Sequence, residues 1–156
     1  MTHKQLILET IEMAEANVQS GKGGPFGAVV VMNKEVVGRG VNRVTERNDP
    51  TAHAEVMAIR DACQRLGTFK LTGASIYTSC EPCPMCLSAI YWARIQTIYY
   101  AAQHTDAAAA GFDDSFIYKE IRLSPRDRSI QAIRLDCEDG IRPFKQWIEQ
   151  EGKIEY

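Results

Sequence analysis

Three residues in two short segments have the types and spacing of a metal site. His53 lies in the segment 51–55 (TAHAE), and Cys83 and Cys86 lie in the segment 82–86 (PCPMC). Two cysteines three positions apart in the first turn of a helix direct their sulfur atoms to one side. A helix N-terminus also favours the thiolate form, which is the form that binds metal. Two thiolates and one imidazole suit zinc and leave a fourth position for water, although iron or cobalt could use the same ligands.

Glu55 and Ala54 complete the first segment. Glu55 follows His53 by two positions, at which separation two side chains do not share a helix face. Glu55 is therefore predicted to lie beside a metal-bound water as general acid/base, and not to bind the metal. The N–H of Ala54 lies in the first helical turn, where the helix supplies no acceptor, so it can face a substrate. Because bound zinc makes hydroxide available at neutral pH, this arrangement favours hydrolysis.

Cys80 provides a structural alternative. It precedes Cys83 by three positions, so it could complete a closed zinc site with four protein ligands. Against this, Cys80 falls at the end of a predicted strand, before Pro82 turns the chain, and Glu55 would then have no role. The pairing of His-x-Glu with Pro-Cys-x-x-Cys is the signature of zinc deaminases, which favours the open site.

The elements that position these motifs are predicted from hydrophobic periodicity and turn residues. Their order predicts a three-layer α/β/α fold with a central mixed five-stranded sheet. Residues 103–112 are predicted as a loop or broken helix. The predicted strands are 26–32, 35–41, 74–79, 97–101 and 130–135, and the predicted helices are 3–19, 52–66, 82–93, 114–120 and one beginning at Pro143.

Composition limits the class of protein. A chain of 156 residues, 45% of them hydrophobic, fits a single domain, with no repeat or linker. A net charge of −2 indicates a small-molecule substrate and no nucleic-acid partner. No apolar stretch approaches the roughly 18 residues of a membrane span, and no signal-peptide core is present. The five cysteines, three of them clustered, favour metal binding over disulfides. A cytoplasmic location is therefore expected.

Together with several other segments, these motifs resemble the cytidine-deaminase-like superfamily, and more closely the bacterial guanine deaminases. The likeness covers nearly the whole chain. The earlier motifs are common to many purine deaminases, including those that act on tRNA adenosine. The run FDDSFIYKE and the terminal Tyr156 are more particular to guanine deaminases. The segments that carry the resemblance are 24–28, 48–55, 77–86, 91–94, 111–120 and 155–156.

The resemblance implies a reaction and an assembly. It implies hydrolysis of guanine to xanthine and ammonia with one zinc ion per subunit. Zinc-bound hydroxide would attack C2, and Glu55 would carry its proton to N3 before ammonia leaves. The family is also expected to form homodimers that exchange a C-terminal segment, so Asp114 or Tyr156 would serve the partner's site.

The resemblance further implies how the base is held. Asn42 would hydrogen-bond the purine, and Phe26 and Trp92 would form apolar walls. Asp114 would contact the base and assist proton transfer, and Tyr156 would close the pocket.

Without the resemblance, each of these residues has a plainer interpretation. The alternatives are core packing for Phe26 and Trp92, a turn for Asn42, a helix cap for Asp113 or Asp114, and a frayed end for Tyr156. Glu81 is predicted to be either a charge in the first helical turn or a substrate contact. His3 and His104 have no evident partners and are predicted to lie on the surface.

Three functions compete. The first is deamination of guanine or of another free base, nucleoside or aminotriazine. The second is deamination of adenosine in tRNA, which would call for basic clusters that engage phosphate. The 18 basic residues against 20 acidic ones argue against it. The third is a zinc-stabilised interaction domain without activity, in which Glu55 would be dispensable.

Overall fold

Two units, residues 1–115 and 116–156, make up the chain in the computed structural model, which describes residues 1–156. None of its helices is both long enough and apolar enough to cross a membrane. The first unit contains α1 (His3–Gln19), β1 (Gly27–Met32), β2 (Glu35–Val41), α2 (Val44–Arg47), α3 (Ala54–Leu66), β3 (Ser75–Cys80), α4 (Pro84–Trp92), β4 (Thr97–Ala102) and α5 (His104–Ala109). Then follow α6 (Ser115–Arg122), a 3₁₀ turn (Glu138–Ile141) and α7 (Arg142–Glu149).

The sheet is mixed and has four strands in the order β2-β1-β3-β4. β1 pairs antiparallel with β2 and with β3, and β3 pairs parallel with β4. The β1–β2 hairpin turns at Asn33 and Lys34, whose φ angles are 52° and 67°. Positive φ at both central residues gives a turn whose twist matches that of the strands.

The prediction of a fifth strand at residues 130–135 is wrong. This segment has no regular secondary structure, and Ile130, Ile133 and Leu135 are all exposed. Its apolar periodicity is that of a strand, but a strand also needs a hydrogen-bonded neighbour, and the chain supplies none there. The α/β class with a mixed sheet is confirmed.

Helices cover both faces of the sheet. On one face, Leu6 of α1 packs with Val29 and Tyr77. On the other, α3 and α4 enclose the larger core, to which α4 contributes Ile90 and β1 contributes Val30. The first unit is thus a three-layer arrangement with its core on both sides of β1 and β3.

Small residues bring α3 into direct contact with β2. Ala54 and Ala58 lie on the helix face that meets Gly38 and Gly40. A Cβ at Gly38 would overlap the carbonyl oxygen of Ala58, and one at Gly40 would overlap that of Ala54. Glycine is required at both positions because the helix backbone approaches the strand backbone closely.

The second unit, unlike the first, has no buried core of its own. No residue from 116 to 156 is buried in the single chain. Its helix α7 carries Phe144, Trp147 and Ile148 at the spacing of one helix face, and all three are exposed. Exposed apolar faces of this kind mark surfaces that associate with other surfaces.

Candidate metal centre and substrate site

The chain brings the three predicted ligands to the starts of two helices. His53 and Cys83 are the N-cap residues of α3 and α4, and both have extended backbone angles. An N-cap side chain leaves the helix axis, so each can turn toward the other helix. Pro84 occupies the first turn of α4, where its missing N–H costs nothing. Cys86 lies three residues after Cys83, about one helical turn along α4, and is fully buried.

The three candidate ligand atoms form one tight group. The Sγ atoms of Cys83 and Cys86 lie 3.6 and 3.5 Å from Nδ1 of His53. All three atoms lie within 4.8 Å of one another. Two sulfur atoms and one imidazole nitrogen at this separation fit a tetrahedral zinc ion with one position left open.

The contacts within this group shift the pKa values of all three candidate ligands and favour a thiolate at Cys83. A hydrogen bond from the Cys86 thiol, and then one with His53, lowers the pKa of Cys83 to about 4. The same hydrogen bond, together with burial, raises the pKa of Cys86, since Cys86 donates to the Cys83 thiolate. The hydrogen bond with Cys83 raises the pKa of His53. In the metal-free chain the group therefore holds protons that a zinc ion would displace.

Glu55 points into the same group. Its Oε2 lies 3.3 Å from Sγ of Cys86, and its side chain is buried. Burial raises the pKa of Glu55 because the charged carboxylate is poorly solvated there. A carboxyl group with a raised pKa can both accept and return a proton near neutral pH.

Two donors among the predicted substrate-binding residues have no partner in the chain. The N–H of Ala54, the first residue of α3, makes no hydrogen bond. Asn42 accepts hydrogen bonds from the N–H groups of Gly24 and Val44 on its Oδ1, at 3.2 and 3.3 Å, and its Nδ2 makes none. The substrate roles of Ala54 and Asn42 stay predictions.

Cys80 lies apart from the ligand group. Its buried thiol donates to the carbonyl oxygen of Gln103 at 3.6 Å. Burial raises the pKa of Cys80 to about 11, so this thiol stays protonated. The candidate metal group contains His53, Cys83 and Cys86 and does not include Cys80.

An aromatic pair joins the loop that precedes β1 to the segment between α5 and α6. The rings of Phe26 and Phe112 meet edge to face with centroids 5.0 Å apart. Phe26 also packs against the core, which supports its plainer interpretation, and its role as a pocket wall stays a prediction. Asp114 follows Phe112 closely, and burial and then the charge of Cys83 raise its pKa. Phe112 is an aromatic partner of Phe26 that sequence reasoning did not single out, although it lies within a recognised motif.

Glu81 and His104 form an ion pair that the sequence did not reveal. Nδ1 of His104 donates to Oε2 of Glu81 at 3.0 Å, and the His104 backbone N–H donates to the same atom. The carboxylate raises the pKa of His104. His3 likewise has a partner, since its Nδ1 lies 2.7 Å from the Tyr77 hydroxyl. Both histidines are exposed, as predicted, and their partners were not evident from the sequence because each contact joins residues distant along the chain.

Two further predicted residues are largely exposed. Trp92 is at the C-terminal end of α4, nine residues from Cys83, and its ring is 61% exposed. The guanidinium of Arg94 lies 5.9 Å from its centroid. Tyr156 belongs to the second unit, where it is 73% exposed. The substrate roles of Trp92 and Tyr156 stay predictions.

Comparison with known proteins places the chain in a family. The family described as "Cytidine and deoxycytidylate deaminase zinc-binding region" matches residues 1–102. These residues include both helix starts and all three candidate ligands. The chain therefore belongs to this family of zinc-binding deaminases.

Within the family, the chain is similar to guanine deaminases over its full length. It is 51% identical to guanine deaminase of Bacillus subtilis across 156 residues, which is 100% of both chains. The crystal structure of that enzyme covers 100% of this chain and 99% of its own, with a TM-score of 0.98. A guanine deaminase structure from Nitrosomonas europaea shares 30% identity over 72% of this chain and 65% of its own, with a TM-score of 0.68.

The likeness to tRNA deaminases is more local. The tRNA-specific adenosine deaminase of Agrobacterium fabrum is 49% identical over 85 residues, 54% of this chain and 56% of that protein. The identity to this tRNA deaminase is close to the identity to the Bacillus subtilis guanine deaminase, but the aligned segment is about half as long.

Proposed function

We propose that this chain catalyses the hydrolytic deamination of guanine to xanthine and ammonia, with one zinc ion per subunit. The observation that carries the proposal is the ligand group His53, Cys83 and Cys86 with the buried carboxyl of Glu55 at 3.3 Å from one sulfur. The full-length likeness to a guanine deaminase supports guanine as the base.

His53, Cys83 and Cys86 would hold the zinc ion. Nδ1 of His53 and the two sulfur atoms are the donors, and the raised pKa of His53 means that its proton leaves when zinc binds. When bound, zinc supplies the Lewis acidity that lowers the pKa of a water molecule.

Glu55 moves the protons of the reaction. It takes a proton from water as the new bond to C2 of guanine forms, and it delivers that proton to N3. A second transfer through the same carboxyl moves the remaining proton from the new C2 hydroxyl to the amino group, so that the C2–N bond breaks, the C2 carbonyl of xanthine forms and ammonia departs. Its burial keeps the pKa raised, which suits a group that must both accept and donate.

The surrounding residues bind and orient the base. The Nδ2 group of Asn42 and the N–H of Ala54 donate to acceptor atoms of the purine. Phe26, with Phe112 against it, provides an apolar wall. The raised pKa of Asp114 lets its carboxyl donate to a ring nitrogen or accept from the amino group. Trp92 and Tyr156 complete the pocket in this proposal.

The protein acts as a homodimer in which the C-terminal segment is exchanged. Residues 116–156 bury nothing in the single chain, although they carry many large apolar side chains. A second copy would cover these side chains, and residues such as Tyr156 or Asp114 would then serve the partner's site. A cytoplasmic location is consistent with the reduced cysteines.

Deamination of adenosine in tRNA is the alternative, since several such enzymes match between 54% and 84% of the chain. The net charge of −2 does not favour binding of a polyanion such as tRNA.

A panel of substrates tests the proposal. Purified protein, loaded with zinc, would be offered guanine, adenine, cytosine, guanosine, an aminotriazine and a tRNA containing wobble adenosine, with ammonia release as the readout. Turnover of guanine with the highest kcat/KM is expected. Turnover of another substrate without guanine would overturn the assignment of the base.

A further inference from the structure

Asn17 lies behind the substrate-binding amide, on a helix that supplies no residue of the proposed site. It is on the last turn of α1 and is only 4% exposed. Buried amides need partners for every polar atom, and those of Asn17 are all used across the fold.

The partners of Asn17 are the backbone that carries Asn42. Its Nδ2 donates to the carbonyl oxygens of Gly24 and Asn42, each at 2.9 Å. Its Oδ1 accepts a hydrogen bond from the Arg43 guanidinium at 3.2 Å. One side chain thereby joins three points of the two loops that flank the substrate site.

Asn42 itself makes further contacts within these loops, which Thr45 also joins by donating to the Lys22 carbonyl at 3.1 Å. The Asn42 Oδ1 accepts from the N–H of Gly24 and of Val44, and the Asn42 N–H donates to the Phe26 carbonyl at 3.1 Å. The two asparagines thus form one network, and the free Nδ2 of Asn42 has a direction only because its backbone and its Oδ1 are both fixed.

Two features show that this network is tightly fitted. A Cβ at Gly23 would overlap the carbonyl oxygen of Asn42 and approach Nδ2 of Asn17. The backbone N–H of Arg43 donates to the carbonyl of Ala52 at 2.9 Å, directly before His53. The network therefore links the loop that carries Asn42 to the segment that carries the ligand.

We infer that Asn17 is a positioning residue that aims the Asn42 amide at the base, an inference that rests on the proposed deamination of guanine. Asn17 touches no substrate. It fixes the Asn42 backbone and so the direction of the Nδ2 donor, which binds an acceptor atom of the purine. Its loss should raise KM, with the zinc ion retained.

The test is a double-mutant cycle between Asn17→Asp and Asn42→Ala, read as kcat/KM for guanine. Asn17→Asp keeps the size of the side chain but places oxygen against two carbonyl oxygens. A fall of about ten- to one-hundredfold is expected, mostly through KM, because an oriented hydrogen bond to the substrate is lost. In the Asn42→Ala background, Asn17→Asp should cost less than about twofold. Zinc content should equal that of the unmodified protein.

Thr10→Val is the matched control. Thr10 is also buried on α1, and its hydroxyl donates to the Ile7 carbonyl within the same helix. This variant should lower Tm while leaving KM unchanged. Full additivity of the two losses in the cycle, or an equal rise in KM for Thr10→Val, would overturn the inference. Where Asn17→Asp does not fold, Asn17→Ala takes its place.

The two proposals fail separately. Absence of ammonia release from guanine by the unmodified protein would overturn the proposed substrate. The same cycle, run on the base that is deaminated, would then still decide the role of Asn17.

Discussion

The two units of the chain use apolar residues in opposite ways. In residues 1–115, alanine, valine and isoleucine side chains are buried on both sides of a four-stranded sheet, and the ligand group lies where two helices begin above it. In residues 116–156, isoleucine, phenylalanine and tryptophan side chains remain exposed. The first unit contains the groups needed for the chemistry, and the second contains the kind of surface needed for association. Four experiments separate these contributions.

The largest effect is expected at Glu55, within the first unit. Glu55→Gln keeps the size of the side chain but removes its ability to carry a proton, so kcat should fall by about 10²- to 10⁴-fold. Zinc content, measured by atomic absorption, should not change, because Glu55 is not among the ligands. Glu35→Gln, an exposed strand residue, is the control. Retained activity in Glu55→Gln would refute its proton-transfer role.

The next experiment addresses the second unit. Phe144→Glu and Ile148→Glu place charge on the apolar face of α7. If a second copy covers that face, each change should cost about 2 kcal/mol of association or more, and sedimentation should show monomer at concentrations where the unmodified protein is dimeric. Lys145→Glu on the same helix should leave the dimer intact. A monomeric unmodified protein would contradict the proposal of exchange.

Acidification should release zinc from the first unit. Zinc binds the neutral imidazole, so protonation of His53 competes with the metal. Its pKa is raised above 6.5 by the hydrogen bond with Cys83, so competition begins at a higher pH than for an isolated imidazole. Binding also displaces the thiol proton of Cys86, whose pKa is raised, so zinc affinity should fall about tenfold per pH unit above the His53 pKa and about a hundredfold per unit below it. A chelator titration at pH 8, 7 and 6 measures it, and a slope that never steepens across that range would be inconsistent with His53 as a ligand.

The smallest effect is expected at Cys80. Cys80→Ala removes a buried thiol that lies outside the ligand group, so zinc content and kcat/KM should stay within about twofold. Stability should fall by about 1 kcal/mol through lost packing. Cys83→Ser is the contrast and should lose zinc. Loss of zinc in Cys80→Ala would restore the closed-site alternative.

The sequence predicted those parts of the fold that local rules govern. The hairpin between β1 and β2, the end of α3 and the start of α4 all lie within two residues of the predicted bounds, because turn and cap chemistry is local. The spacing of Cys83 and Cys86 likewise placed both sulfur atoms on one helix turn. The fifth strand failed because pairing is not a local property.

What the sequence could not supply are contacts between distant residues. Nothing near Glu81 indicates His104, which lies 23 positions away, and nothing near Asn17 indicates Asn42, which lies 25 positions away. Each such contact depends on how helices and loops converge on the sheet. A substrate role for Asn42 was accordingly predicted only by resemblance, whereas the hydrogen bonds of its Oδ1 are visible in three dimensions.

The glycines of β2 bear on any effort to change the base that is deaminated. A Cβ at Gly38 or Gly40 would overlap the backbone of α3, so a substitution at either position would displace the start of that helix, and with it Ala54. A mutant library that varies this layer would therefore disturb the segment that follows His53. Diversity is better placed at Phe26 and Phe112, which form an aromatic pair and are neither candidate ligands nor proton carriers.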